Sequence, residues 1–286
     1  MKQIEVHNYI INYKEEGKGS SLFFVHGSAS DARTWDQQFD YFKSKYHTVV
    51  YNRRYHYPNI GMGRYSEYLM SRHLDDLEAL IESLGKIPVN IVGHSYGAML
   101  ALLFAIKYPT RIKKLVLAEP SFISFYLHTN PGPAKMLKLL VIRPGLGCPI
   151  LKFGHKGMVL AILDLRSRNL RKALTVYARA TLGHKTYKNL TSKRLEQILD
   201  NFIPMELLGL GFTPVYKVEL QKIKIPVLLL SGEKSNMLFG RFLDALDESL
   251  FNSTRCTIGN GSHLMHEDNA SEFNSKVLQF LQDVAQ

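Results

Sequence analysis

A glycine-flanked serine between a strand pattern and a helix pattern constrains this chain more than any other feature. Residues 93–97 read Gly-His-Ser-Tyr-Gly, with Ser95 at the centre. The apolar run at 89–92 predicts a buried strand, and residues 98–106 predict a buried helix. A serine on such a sharp turn is held out at the sheet edge, above a helix N-terminus that stabilises negative charge. The pattern predicts a nucleophile at Ser95, with a plain strand–helix connection as the alternative.

Strand and helix patterns alternate along most of the chain. Strands are predicted at residues 4–12, 21–25, 48–51, 89–92, 114–118, 227–230 and 254–258. Helices are predicted at residues 34–45, 66–84, 98–106, 241–250 and 270–284. This alternation predicts an α/β fold with a mainly parallel sheet and helices on both faces.

One long segment interrupts the alternation. Residues 121–215 contain helix patterns but no convincing strand. Because the segment falls between two sheet strands, we expect it to cover the carboxyl edge of the sheet, where open α/β sheets bind ligands. We therefore predict a core formed by residues 1–120 and 216–286, with residues 121–215 as a helical lid.

The predicted lid is strongly basic. It holds 14 of the 36 Lys and Arg residues but only 4 of the 25 Asp and Glu residues, so nearly all of the net charge of +11 lies there. Two sets of side chains take opposite faces of a predicted helix within residues 158–183: Leu163, Leu170, Leu174 and Tyr177 against Arg168, Lys172 and Arg179. The basic face is either solvated or attracted to anionic lipid headgroups. Nucleic acid is not an expected partner, because no binding module is recognisable.

The two cysteines, Cys148 and Cys256, do not suggest a disulfide framework. They favour a reduced, cytoplasmic setting. Neither an N-terminal signal peptide nor a transmembrane helix is predicted, because no apolar run is long enough.

Two more segments are predicted at the sheet edge that carries Ser95. The His-Gly turn (residues 26–28) follows an apolar strand, and there the backbone N–H of Ser28 can stabilise an oxyanion together with the N–H of Tyr96. His263 ends the run Gly-Asn-Gly-Ser-His before the last helix. We predict it as the base for Ser95, because a serine hydroxyl is a poor nucleophile unaided.

Three other histidines are expected near this sheet edge, but none of them is predicted as the base. His266 is expected to be structural, near a helix start, and His94 to point away from the nucleophile as a packing residue. His56 follows a strand and could reach the pocket. The basic loop around it, residues 52–59, either favours an anionic group at the pocket mouth or satisfies local carbonyls and acids such as Asp75 or Asp76.

Taken together, these segments resemble the α/β-hydrolase family, in its lidded branch with a serine nucleophile. The resemblance rests on the His-Gly turn, the sequence around Ser95, the lid and the final Gly-Ser-His. It implies an eight-stranded α/β-hydrolase sheet and a catalytic triad that needs no metal or organic cofactor. Dehalogenases and epoxide hydrolases of the family use aspartate at the nucleophile position. Ser95 therefore favours a small-molecule carboxylic ester, thioester, lactone or amide as the substrate.

The acid of the triad departs from the family pattern. Most members place an aspartate in the loop after the strand that follows the lid, where this chain has Ser235. Glu119 ends the strand after the elbow helix, and a charge at the tip of an apolar strand is costly unless it is paired. The ring N–H of His263 would pair it. We predict Glu119 as the acid; Glu233, or a Glu119 that is only a strand-end residue paired with the lid, is the alternative.

The sequence thus predicts a serine hydrolase that cleaves carboxylic esters through an acyl-enzyme on Ser95. Two other hypotheses use the same residues. One is a hydrolase of carbon–carbon bonds or a cofactor-free perhydrolase. The other is a ligand sensor that turns over slowly and signals through its lid.

Overall fold

The computed structural model describes residues 1–59, 68–126, 133–142, 144–166, 169–201, 203–208 and 212–283. They form an eight-stranded sheet in the order β1-β2-β4-β3-β5-β6-β7-β8. The strands are β1 (Lys2–Val6), β2 (Tyr9–Glu16), β3 (Ser21–Val25), β4 (His47–Tyr51), β5 (Val89–His94), β6 (Ile112–Ala118), β7 (Val227–Gly232) and β8 (Ser253–Ile258). β2 pairs antiparallel with β1 and β4, and the remaining neighbours pair in parallel. The predicted mainly parallel α/β fold is confirmed.

Helices cover both faces of the sheet. The α-helices that accompany the strands are α1 (Asp36–Phe42), α2 (Met70–Leu84) and α3 (Tyr96–Lys107). Between β6 and β7 lie α4 (Pro133–Ile142), α5 (Pro144–Phe153), α6 (Leu160–Arg166), α7 (Leu170–Leu182), α8 (His184–Lys188), α9 (Ser192–Asp200) and α10 (Pro204–Leu208). The chain ends with α11 (Lys217–Leu220), α12 (Met237–Asp247), α13 (Met265–Asp268) and α14 (Ala270–Gln282). No described helix is both long and apolar enough to cross a membrane.

The central strands are apolar because both of their faces are covered. Every residue of β3 and β5 is buried. Along β3, Phe23 and Val25 pack into one hydrophobic cluster, whereas Leu22 and Phe24 pack into a second cluster on the other face. A parallel sheet with both faces covered requires such continuous apolar strands, and they fix the position of the loops at its carboxyl edge.

The predicted first strand, residues 4–12, is wrong in one respect: it is a hairpin. Val6 pairs with Tyr9, and the two residues between them, His7 and Asn8, have φ of 48° and 58°. Two consecutive positive φ values make the tight turn that suits the twist of a hairpin, and asparagine tolerates that region well. The helix predicted at 34–45 is also shorter, since a 3-10 turn at Ala32–Trp35 precedes α1. The first two residues predicted for α2, 66 and 67, lie outside the described residues.

Residues 121–215, hereafter the helical insertion, contain helices and no strand wherever the structure describes them. The single amphipathic helix expected within residues 158–183 is instead a π-helical turn (Gly154–Val159) followed by α6 and α7. Its four apolar side chains do not share one buried face, because Leu174 is buried while Leu163 and Leu170 are about half exposed. Arg168, assigned to the opposite face, lies outside the described residues.

Candidate active site

Ser95 lies on a tight turn between β5 and α3, with φ of 52° and ψ of −115°. A residue with a side chain rarely adopts this conformation, and such strained residues cluster at functional sites. The turn is held by its backbone: the N–H of Ser95 donates to the carbonyl of Ala118 at 2.9 Å, and its carbonyl accepts from the N–H of Met99 at 3.1 Å.

Close backbone approach explains the two glycines around this turn. A Cβ on Gly97 would lie 2.2 Å from the carbonyl oxygen of Val25, because α3 packs directly against the end of β3. A Cβ on Gly93 would lie 2.6 Å from the Cα of Ala98. Neither position has room for a side chain, so the glycines make the serine turn possible.

A cavity of about 50 Å³ lies against Ser95 and His263. Its floor comes from the sheet edge and includes Ser28, Ala29, Ser30, His94 and Leu264. Its other wall comes from the helical insertion: Leu174, Tyr177, Ala178, Thr181, Leu182, Arg194 and Ile198. A single water needs about 10–15 Å³ of such space, so the cavity holds only a few solvent molecules. The hydroxyl of Ser95 lies 3.3 Å from that of Ser121.

The structure brings His263 and Glu119 together. Nδ1 of His263 lies 2.6 Å from a carboxylate oxygen of Glu119, and the two side chains are 4% and 0% exposed. The other carboxylate oxygen of Glu119 accepts from the N–H of Gly232 at 2.8 Å. The ring of Phe239 stacks on the imidazole of His263, with the centroids 4.0 Å apart. Hydrogen bonding and stacking together restrain this imidazole at the cavity wall.

Neither of the competing positions for the acid contacts His263 in the structure. Glu233 is exposed, and its carboxylate accepts from the backbone N–H of Asn260 at 2.7 Å. The hydroxyl of Ser235 is buried and has no hydrogen-bond partner among the described residues.

His94 is a buried packing residue, as predicted, and its ring packs against those of Trp35, His263 and His266. It lines the cavity, and its Nε2 donates to the backbone carbonyl of His263 at 2.7 Å. Burial, reinforced by His266 and His263, holds the pKa of His94 well below its ordinary value. His266 is buried against Trp35 and contacts the hydroxyl of Thr34 at 2.8 Å, as a structural histidine would.

The two residues proposed for an oxyanion hole both lie close to Ser95. Ser28 borders the cavity, and a Cβ on Gly27 would lie 3.1 Å from the Cβ of Ser95, so the His-Gly turn packs against the serine. Tyr96 is the first residue of α3. N–H groups in the first turn of a helix have no partner within the helix and are available to an anion.

Arg53 in the basic loop is completely buried. Its guanidinium donates to the carbonyls of His26 at 3.1 Å and Gly27 at 3.0 Å. It also pairs with Glu206 of α10 at 2.8 Å, and both side chains of this pair are 1% exposed. Sequence reasoning missed Glu206. Its one signal was its charge, since it is one of only 4 acids among residues 121–215.

Arg54 and His56 are also occupied within the protein. Arg54 forms two hydrogen bonds with Asp76, at 2.8 and 2.6 Å. His56 donates from Nδ1 to the carbonyl of Ser30 at 2.8 Å, and its Nε2 lies 3.2 Å from Glu206. Both arginines of the basic loop therefore bind carbonyls and acids of the protein itself, which is the second of the two interpretations given for this loop.

Known proteins match the chain over most of its length. The sequence profile of the alpha/beta hydrolase fold family matches residues 21–270. Epoxide hydrolase 3 of Xenopus tropicalis is 24% identical, over 92% of this chain and 71% of that protein. A 2-hydroxy-6-oxononadienedioate/2-hydroxy-6-oxononatrienedioate hydrolase of Burkholderia vietnamiensis is 25% identical, over 95% of this chain and 90% of that protein.

A solved structure has the same fold. The carboxylesterase CesB from Bacillus subtilis superposes with a TM-score of 0.73 at 16% sequence identity, covering 99% of this chain and 92% of that one. With the family profile spanning most of its residues, the chain belongs to the α/β-hydrolase family. The relatives act on different kinds of bond, so family membership assigns a hydrolase without assigning the substrate.

Proposed function

We propose that this protein is a serine hydrolase that cleaves a carboxylic ester, thioester or lactone. The observation that carries the proposal is the buried 2.6 Å contact between Glu119 and Nδ1 of His263, beside the same cavity as Ser95. With Nδ1 protonated and held by the carboxylate, the lone pair of Nε2 is left to take the proton of the serine hydroxyl.

In this mechanism Ser95 attacks the substrate carbonyl while His263 accepts its proton. The backbone N–H groups of Ser28 and Tyr96 stabilise the oxyanion of the tetrahedral intermediate. His263 then protonates the leaving alcohol, thiol or lactone oxygen, and an acyl-enzyme remains on Ser95. Water, activated by the same imidazole, releases the acid and restores the serine. Glu119 stays ionised and stabilises the imidazolium that forms in each half-reaction.

A fluorophosphonate probe tests the nucleophile directly, since only an activated serine attacks phosphorus quickly. We expect labelling at Ser95 and its complete loss in Ser95→Ala, with turnover of p-nitrophenyl esters reduced by about 10⁶-fold, as in another serine hydrolase stripped of its nucleophile. Ser121→Ala is the matched control, because its hydroxyl lies 3.3 Å from that of Ser95. Labelling that persists in Ser95→Ala, or that disappears in Ser121→Ala alone, contradicts the assignment.

Two alternatives share this machinery. A carbon–carbon bond hydrolase is suggested by the Burkholderia relative, whose name describes such a substrate class. Multiple turnovers on a dienedioate with none on esters would favour it. If the protein is instead a ligand sensor, we expect a single slow turnover and a change in the conformation of the helical insertion. A panel of p-nitrophenyl esters of graded acyl length, followed over many turnovers, separates all three.

We also propose that the helical insertion is a lid, because Leu174, Ala178 and Ile198 complete the cavity wall opposite Ser95. The cavity is small, so longer acyl chains require these helices to shift. Residues 1–120 and 216–286 would then form the catalytic core. Cys148 and Cys256 are free thiols, which suits the reducing, cytoplasmic setting that we propose for the enzyme.

The outer surface of this lid favours an anionic lipid surface as a partner. Large apolar side chains are exposed along α4, α6 and α7; Leu137, Val141 and Ile142 are 62%, 73% and 62% exposed. Lys138 lies exposed among them, within a segment that holds most of the net positive charge. Apolar side chains that enter the headgroup region, with basic residues around them, are the pattern of helices that lie on membranes. We propose that this face recruits the enzyme to lipid esters.

A further inference from the structure

We propose that the buried pair of Arg53 and Glu206 positions the oxyanion hole, so that the helical insertion sets the rate of the chemical step as well as the shape of the pocket. This inference rests on the proposed ester hydrolysis at Ser95. Both residues would act through the His-Gly turn and Tyr96, and neither would touch the substrate.

Arg53 and His26 both bind the peptide unit between Gly27 and Ser28. Its carbonyl belongs to Gly27 and its N–H to Ser28, and in a planar trans peptide these groups point in opposite directions. The guanidinium of Arg53 donates to this carbonyl at 3.0 Å, and Nδ1 of His26 donates to it at 2.9 Å. Two donors on the carbonyl fix the plane of the peptide and therefore the direction of the Ser28 N–H. They also polarise the unit and make that N–H a stronger donor.

Arg53 also contacts the second half of the oxyanion hole. Its guanidinium carbon lies 4.3 Å from the centre of the Tyr96 ring. Tyr96 supplies the other proposed N–H, so one side chain contacts both Tyr96 and the Gly27 carbonyl of the peptide unit that carries the Ser28 N–H. A cation over an aromatic ring in a desolvated setting is a stabilising contact that also restrains the ring.

An acidic partner from the helical insertion stabilises the buried guanidinium of Arg53. Glu206 pairs with it at 2.8 Å and also accepts from the hydroxyl of Tyr68. Burial alone would raise the pKa of Glu206, but the charges of Arg53 and His56 outweigh it and hold that pKa well below its ordinary value. Glu206 is therefore ionised, and removing its charge leaves Arg53 buried without a counter-charge, which a protein interior tolerates poorly. Since Glu206 lies on α10, the helical insertion must be in place for Arg53 to hold the turn.

The chain offers a matched control in the next residue. Arg54 is also buried and forms two hydrogen bonds with Asp76. It lies over the ring of Tyr9, 4.4 Å from its centre. Asp76 and Tyr9 belong to α2 and β2, not to the His-Gly turn. A lysine at position 54 thus disturbs a buried ion pair of the same kind without touching the oxyanion hole.

The test compares Arg53→Lys, Glu206→Gln and Arg54→Lys by ester kinetics, by thermal denaturation and by affinity for a trifluoromethyl ketone. That inhibitor adds to the serine and places an oxyanion in the hole. Outright removal of one donor from such a hole costs about 10²–10³-fold in kcat. For the misdirected donors of Arg53→Lys and Glu206→Gln we expect about a 10- to 100-fold loss in kcat, with KM changed by less than about threefold. Inhibitor affinity should fall in proportion to kcat/KM.

Arg54→Lys should lower the Tm but leave kcat and inhibitor affinity within about threefold of the wild type, because its partners Asp76 and Tyr9 lie outside the His-Gly turn and α3. Equal losses of kcat in all three variants, or unchanged inhibitor affinity in Arg53→Lys and Glu206→Gln, would overturn the inference. If Arg53→Lys does not fold, the near-isosteric Glu206→Gln decides alone. Wild-type labelling at Ser95 separates the two claims: without labelling the proposed function fails, whereas labelling with unaffected variants rejects only the positioning role.

Discussion

The sheet edge and the helical insertion hold their side chains in different ways. At the sheet edge, the whole residues Ser95, Glu119 and His263, backbone included, are 8%, 0% and 3% exposed. Ser95 and Glu119 directly follow buried parallel strands. In the helical insertion, large apolar side chains such as Val141 and Leu163 lie in solvent. The backbone of the buried strands fixes the positions of the side chains at the sheet edge. The insertion forms one wall of the cavity, and many of the apolar side chains on its helices are exposed.

Polar contacts fasten part of this wall to the core. Besides the Arg53–Glu206 pair, Arg194 of α9 donates to Glu267 at 3.0 Å, and Asn201 donates to the buried carboxylate of Asp31 at 2.6 Å. Such contacts depend on direction as well as distance, so they fix the register of the insertion on the core more narrowly than apolar packing does. In the proposed mechanism the core supplies the reacting groups, while the insertion selects the substrate and, through Glu206, also positions the oxyanion hole.

The largest expected effect is at the sheet edge. Glu119→Gln replaces the partner of His263 by an amide that cannot stabilise an imidazolium, and turnover should fall by about 10⁴-fold, as for a comparable Asp→Asn change in another serine hydrolase. The loss should appear in kcat for p-nitrophenyl esters while the fold, followed by circular dichroism, is retained.

Glu233→Gln is the control for that change. Its carboxylate is exposed and binds the N–H of Asn260, so activity should stay within about twofold, as for most surface substitutions. Near-normal activity in Glu119→Gln, or a large loss in Glu233→Gln, would move the acid of the triad to position 233 and break the contrast drawn for the sheet edge.

A smaller effect is expected from the basic residues of the insertion. Neutralising Arg168, Lys172 and Arg179 to glutamine should weaken binding to anionic vesicles by up to about 10²-fold at low salt, since each basic residue near such a surface contributes about 1 kcal/mol. Lys172 should contribute less to vesicle binding than the other two residues, because it forms an ion pair with Asp164 at 3.0 Å. Binding should also weaken as salt rises to about 0.5 M, because screening lengths shorten to a few Å.

Lys18, Lys86 and Lys222, three exposed lysines of the core, provide a control with the same loss of charge when they are changed to glutamine. If vesicle binding falls equally in both triple variants, or is the same on neutral vesicles, the lid has no special role at membranes. Turnover of small dissolved esters should be unchanged in both variants.

The comparison also explains which features the sequence predicts. Buried strands have continuous apolar runs, and the serine turn needs glycines at fixed positions, so the sheet and Ser95 follow from local patterns. Glu119 could be predicted because a carboxylate at the tip of an apolar strand requires a partner, and His263 was the one expected at the same edge. These sequence signals are local and strong, because few residue types fit a buried strand, a tight serine turn or the end of an apolar strand.

Contacts between distant segments could not be predicted in this way. The pairing of Arg53 with Glu206 joins residues 153 positions apart, and no periodicity in either segment encodes it. The division into α6 and α7 was missed because amphipathic spacing continues across the break. The bond from His94 to the carbonyl of His263 was not predicted either, because the loop of His263 approaches His94 only in the folded chain.

The smallest effect should appear inside the cavity, where the insertion meets the sheet. Leu174 of α7 is buried and lines the cavity, so Leu174→Ala should open space beside Ser95 and shift the preference among p-nitrophenyl esters toward longer acyl chains. About tenfold in relative kcat/KM is expected, because apolar pockets discriminate by about 1–3 kcal/mol for such changes. Leu170, one turn earlier on the same helix, is 52% exposed, so Leu170→Ala should leave that preference unchanged. Equal shifts in both variants would mean that α7 acts through its overall stability, and the wall assigned to the insertion would lose its role in selecting the substrate.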